Sequence, residues 1–208
     1  MTTTLTLDNL GLMRGGRLLL SGLSLTLESG AVLSLEGPNG AGKTSLLRAI
    51  AGFLPPAAGS ITLENGSAIF RDGEERGSRI GWLGHHDGIK PQLTVVEQAS
   101  FWAHLYGTDD ARVAAALARF GLAALADAPG QLLSAGQRRR LAFARLLLSV
   151  RPLWLLDEPL SALDEAGRGQ AAGAIAAHAA AGGIVIAATH EPLGVTCQNL
   201  ILRKAMAA

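Results

Sequence analysis

Gly37-Pro38-Asn39-Gly40-Ala41-Gly42-Lys43-Thr44 is the stretch on which the reading of this chain turns. Two glycines bracket four other residues and Lys-Thr follows, the spacing of a phosphate-binding loop. Upstream, residues 31–36 read as a short buried strand. Downstream, residues 43–51 read as a helix, stopped by Gly52 and then by Pro55-Pro56. In that setting glycines let backbone N–H groups converge on phosphate oxygens, and the helix turns its positive end to the same anion. Lys43 would reach the outer phosphates, the Thr44 hydroxyl would ligate Mg²⁺, and Ser45 would donate to a more proximal phosphate. The competing reading, a glycine-rich turn with an incidental Lys-Thr, does not call for the strand and helix that flank it.

Working outward, residues 5–10 and 18–27 carry the alternating or short apolar runs of strands, with Gly15-Gly16 as a hairpin turn between them. Residues 59–63, 67–70 and 79–83 are further short strands. After Gly84 the texture changes: residues 95–106, 109–120 and 122–125 follow a helical period, and no strand is expected before residue 153. Residues 137–150 read as a helix, 153–156 as a buried strand, 165–181 as a helix and 184–189 as a strand. Strands alternating with helices predict a parallel sheet. The expected fold is α/β, with a core of about residues 1–86 and 151–208 and a helical lobe inserted over residues 87–150.

Two further stretches carry chemistry. Leu153-Trp-Leu-Leu-Asp157-Glu158-Pro159 is an apolar strand ending in two acids. A carboxylate at the end of a buried run needs a cation or hydrogen bonds to meet it, so Asp157 is expected at the Mg²⁺ site, through water. Glu158 would polarise the attacking water as a general base. Leu133-Ser134-Ala135-Gly136-Gln137 has the Ser-x-x-Gln form of a helix-capping box. It is either a plain cap or a second anion-ready helix terminus, one that faces ATP held by another subunit. Arg138-Arg139-Arg140 reads as the polar side of the following helix rather than a nucleic-acid patch. His85-His86 is not expected to form a metal or haem site, because adjacent side chains diverge.

Bulk properties set the remaining bounds. A formal charge of +1 over 208 residues gives no basic field, so nucleic acid is not the expected partner. The single cysteine, Cys197, cannot form a disulfide within the chain, which suits a reducing compartment. The N-terminal residues lack the features of a signal peptide, and no uncharged apolar run reaches the ~18 residues of a membrane span. A 49% hydrophobic content is high; it reflects alanine-rich helices or an apolar surface covered by a partner.

Taken together, these residues resemble an ABC-transporter ATPase subunit over essentially the whole chain. The matching elements are residues 37–44, 133–137 and 153–157, the acid Glu158, the segment Ser161-Ala-Leu-Asp164, and His190 after the last strand. The resemblance implies a RecA-like core with an antiparallel β subdomain and a helical subdomain. It also implies two subunits closing head-to-tail on two ATP molecules. Ser134, Ala135, Gly136, Gln137, Ser161 and Asp164 would then contact the partner's ATP, and His190 the γ-phosphate. Three departures stand out. Ala135 replaces a glycine; His86 stands where a Mg²⁺-sensing glutamine is usual; Arg14 stands in the region of the adenine-stacking aromatic, and it either stacks on the base or points to solvent.

Gly84-His-His-Asp-Gly-Ile-Lys-Pro-Gln-Leu-Thr94, the Leu-Ser-Ala-Gly-Gln form, and Gly182-Gly-Ile-Val-Ile with Thr189-His-Glu-Pro-Leu193 resemble the ATPases of cytochrome c maturation. That resemblance implies transport-coupled ATP hydrolysis for haem export, or for release of a haem-loaded chaperone. It implies separate multispanning partners of the CcmB type, at the cytoplasmic face of the bacterial inner membrane. The alternatives are the ATPase of another transporter, a soluble ABC assembly ATPase, and a clamp that hydrolyses slowly. With the last core strands ending near Arg203, no C-terminal regulatory domain is expected.

Overall fold

In the computed structural model, which describes residues 2–203, the chain opens with a long hairpin, β1 (Thr3–Arg14) and β2 (Arg17–Glu28). Its turn is Gly15-Gly16, both at positive φ (56° and 73°), the backbone that a two-residue hairpin turn requires. β4 (Ala58–Asn65) and β5 (Ala68–Phe70) complete an antiparallel sheet of order β2-β1-β4-β5. A second sheet is parallel, built from β6 (Ile80–Leu83), β7 (Leu153–Asp157), β8 (Ile184–Ala188), β3 (Val32–Glu36) and β9 (Gln198–Ile201), in that spatial order.

Every residue of β7 and β8 is buried, as expected of a parallel sheet covered on both faces. Strand alternation divides its side chains. Leu33, Leu35, Leu153, Leu155, Ile184 and Ile186 face a core shared with the antiparallel sheet and with α1 (Lys43–Ile50). Val32, Trp154, Leu156, Val185 and Ala187 face the other way. There they meet a core built with α3 (Val95–Tyr106), α4 (Asp110–Arg119), α5 (Ala135–Ser149) and α6 (Glu165–Ala180). The stretch between β6 and β7 is thus helical, as predicted, and α5 runs back from it onto the sheet.

Local chemistry accounts for most helix ends. Thr94 and Glu97 form a reciprocal capping box at α3, which ends at Gly107 with φ 73°. Asp109, Ser134 and Asp164 cap α4, α5 and α6. α5 therefore starts two residues earlier than its apolar pattern suggested, and it includes Ala135 and Gly136. β9, at the sheet edge, lies where the last core strands were expected near Arg203, though without bounds. The one-turn α2 (Gly73–Gly77), capped by Asp72, and a 3-10 turn at Gly130–Leu132 were not expected. α2 carries Arg76, which is 3% exposed. Its guanidinium donates to the Ala49 and Ile50 carbonyls at the end of α1, the end where a cation is favoured.

Arg138–Arg140 is not the solvated stripe expected of it. Arg139 is 2% exposed. It shares a helix face with Ala142, Phe143 and Leu146, three, four and seven residues on, all buried. The helical period outweighs the charge because polar acceptors wait at the buried position.

Candidate active site

The phosphate-type loop lies between the end of β3 and the start of α1, at the C-terminal edge of the parallel sheet, where open α/β sheets present their crevices. Gly37, Gly40 and Gly42 all have positive φ (133°, 80° and 102°). A Cβ on Gly37 would collide with the Leu202 carbonyl, so this glycine is a steric requirement. Gly42 occupies the N-cap of α1 with no side-chain cap, and the first turn carries no acid. The helix terminus is thereby left open to an anion.

Lys43 is 8% exposed, and its ammonium donates to the Gly37 carbonyl at 2.6 Å. It also lies 3.0 Å from His190 Nε2. The Thr44 hydroxyl meets both carboxylate oxygens of Asp157, at 3.1 and 3.0 Å. Asp157, at the end of β7, is 7% exposed. His190, just past β8, brings Nε2 within 3.2 Å of Asn39 Oδ1 and 3.6 Å of Glu158 Oε1. Residues more than a hundred positions apart in sequence therefore converge on one locus. Glu158 itself has a left-handed backbone, φ 48°, which is unusual for a residue with a side chain.

Lys43, Thr44, Asp157 and Glu158 open onto a groove of about 620 Å³ lined by residues 38–45, Arg14, Leu19, Arg48, Trp82, residues 84–86, Asp157 and Glu158, while His190 lines the neighbouring hollow. A larger hollow of about 1010 Å³ lies on the far side of Gly37-Pro38, against residues 189–197, but it lacks Lys43, Thr44 and both acids. The groove is the candidate site. Its cations sit along the loop and rim, and its carboxylates at one end, an arrangement suited to a polyphosphate with a metal ion at that end. The Thr44 hydroxyl and the Asp157 carboxylate are hard oxygen donors of the kind Mg²⁺ takes. The imidazoles of His85 and His86 are not.

Arg14, at the end of β1, is among the residues lining the groove. His86 is too, and so is His85. Their rings do not diverge: they stand edge to face with centroids 5.4 Å apart. Ser45 is buried in the first turn of α1. The residues at 134–137 lie outside this groove. Ser134 and Gln137 are engaged with each other through the cap, and Ala135 is exposed. Ser161 donates back to the Glu158 carbonyl, and Asp164 accepts from the Gly167 amide. Leu19, Arg48, Trp82 and Arg139 had not been singled out for the site. Of these, only Arg139 had a legible signal, its place on the apolar period of α5.

Residues 20–161 match the model of the ABC transporter family. The chain is 49% identical over 197 residues to the cytochrome c biogenesis ATP-binding export protein CcmA of Paramagnetospirillum magneticum, covering 93% of this chain and 90% of that protein. The CcmA of Nitrobacter winogradskyi is also 49% identical, over 193 residues, with 93% and 94% covered. Among solved structures, an ABC transporter ATP-binding protein from Pyrococcus furiosus superposes with a TM-score of 0.83 at 28% identity, over 96% of this chain and 97% of that one. With this fold, this groove and these relatives, the chain belongs to the ABC transporter family, in the branch that contains CcmA.

Proposed function

We propose that this chain is the ATP-hydrolysing subunit of a membrane transporter acting in cytochrome c biogenesis, driving haem export or the release of a haem-loaded chaperone. The observation that carries this reading is the convergence of Lys43, Thr44, Asp157 and Glu158 on one groove, with His190 against Lys43 and Glu158, in a chain of this family. ATP lies along the loop, with its phosphates on the backbone amides of residues 39–45 and its base toward Arg14. Lys43 neutralises the outer phosphates. Thr44 and, through water, Asp157 would hold Mg²⁺, which would supply positive charge against the phosphates during phosphoryl transfer. His86, an imidazole, would meet such an ion through water or not at all.

Glu158 orients and deprotonates the attacking water, a contribution typically worth 10²–10⁴-fold in rate. His190 bridges the γ-phosphate and Glu158. At present Lys43 is occupied by the Gly37 carbonyl and by His190, and phosphate oxygens replace the first of these partners. Two subunits pair head-to-tail, each presenting Ser134–Gln137 and Ser161 to the nucleotide of the other. Among the described residues no helix is long and apolar enough to cross a membrane. On this reading the translocation path belongs to separate multispanning chains of the CcmB type, and this subunit works on the cytoplasmic face of the inner membrane.

Affinity purification of the tagged chain from solubilised membranes tests this. Multispanning subunits should co-purify, with haem present in the complex. Recovery from the soluble fraction alone, without membrane partners, would overturn the transporter reading in favour of a soluble ABC assembly ATPase.

A further inference from the structure

The guanidinium of Arg139 is saturated. Its five N–H donors meet five acceptors: the Pro159 carbonyl at 3.1 Å, the Gly84 carbonyl at 2.8 Å, Asp87 Oδ1 at 2.9 Å, and the Asp157 and Glu158 carbonyls at 2.7 and 2.5 Å. A packing role in this core could be filled by an apolar side chain of similar volume, without the cost of burying a charge. What only a planar five-donor fork can do is hold three chain segments in one geometry. Those segments are the first turns of α5, the loop after β6, and the backbone that carries Glu158.

Further contacts make that geometry stiff. The Glu158 carbonyl also accepts from the Ser161 amide at 3.2 Å and from its hydroxyl at 2.9 Å, while the Glu158 amide donates to Ala188 at 2.8 Å. The left-handed backbone at Glu158 (φ 48°) is therefore held from both sides. At the start of α5, a Cβ on Gly136 would lie 2.8 Å from the Ala162 carbonyl, so the helix end is seated directly on the segment after Glu158. Arg145, further along α5, grips the same β6 loop through the Asp87 and Trp82 carbonyls at 3.1 and 3.2 Å. The N-terminal end of α5 and residues 157–162 form one body.

We propose that Arg139 is a positioning residue for hydrolysis. It ties the Ser134–Gln137 end of α5 to the backbone of Glu158 in the same chain, so that nucleotide engaged at that end sets the aim of this chain's own base. The inference rests on the paired-ATPase reading above. Arg139 contacts neither Lys43 nor the phosphate-type loop, so its loss separates turnover from binding.

The experiment compares steady-state ATP hydrolysis and nucleotide binding in the wild type, Arg139→Gln and Arg139→Lys, with melting temperature as the check on folding. Arg139→Gln should lower kcat by about 10- to 100-fold, the scale of misplacing a catalytic group by about an ångström. KM for ATP should stay within about threefold (equal binding of ground and transition states is untouched), and the Hill coefficient should fall toward unity. Arg139→Lys keeps the charge with three donors and should recover part of kcat. A folded Arg139→Gln with wild-type kcat, or with KM raised and kcat unchanged, overturns the inference.

Should neither Arg139 variant fold, Asp87→Ala removes one anchor at a partly exposed position. It should lower kcat by at least about threefold at unchanged KM, and an unchanged kcat overturns the inference. A wild-type chain that binds ATP but does not hydrolyse it overturns the ATPase reading itself, which is a distinguishable failure.

Discussion

His178 links the packing of α6 to pH. Its ring lies flat on that of Trp154 in β7, with centroids 4.0 Å apart and planes within 6°. Burial pushes its pKa from 6.5 down to about 4. The folded chain thus keeps this imidazole neutral in a range where the unfolded chain protonates it. Stability from the neutral ring is present above pH 6.5 and is lost as pH falls from there to about 4. Between pH 7.5 and pH 5 the loss is about 2 kcal/mol. For a chain of this size that lowers Tm by roughly 4–8 °C. The assay is thermal unfolding of the wild type and of His178→Phe across that range. Phe keeps an aromatic ring on Trp154 but cannot titrate, so its Tm should fall by that much less than the wild type's on acidification. Parallel curves for the two proteins would show that His178 is not held neutral by burial, and would refute the reasoning.

Three other perturbations have definite expectations. Gly37→Ala forces a Cβ onto the Leu202 carbonyl at φ 133°; binding of a fluorescent ATP analogue should be lost, and wild-type affinity would contradict the cradle. Arg14→Ala removes the groove's cation nearest the expected base and should raise KM for ATP about threefold at constant kcat, the scale of a cation–π contact. An unchanged KM would place Arg14 in solvent. Thr94→Ala removes the capping box of α3, well away from the groove. It should cost about 1 kcal/mol in chemical denaturation with ATP hydrolysis unaltered, and a lowered hydrolysis rate would implicate α3 in the chemistry.

What could be seen in the sequence was governed by how local the chemistry is. The phosphate-type loop, the Gly15-Gly16 turn and the cap of α5 depend on a few adjacent residues, and each falls where its residues indicate. α2 has only five residues, too few for a period to register, and its role depends on Arg76 reaching carbonyls at the end of α1. β9 is a largely exposed edge strand, Gln-Asn-Leu-Ile, with no buried run to fix its bounds. Arg139 was misread because a row of arginines resembles a solvated face. Its acceptors come from residues 84, 87 and 157–159, which only the folded chain brings to α5. The side-by-side rings of His85 and His86 are likewise set by the loop they share, not by their adjacency.

In the function proposed, Glu158 activates the water that cleaves ATP held between two copies of this chain. Glu158→Gln keeps the size and most hydrogen bonding of the side chain but removes the base. With Mg²⁺ and ATP, hydrolysis should fall by about 10²–10⁴-fold, and light scattering after size exclusion should find a dimer retaining one ATP per subunit. Undiminished hydrolysis, or a variant that remains monomeric with ATP bound, would contradict the account.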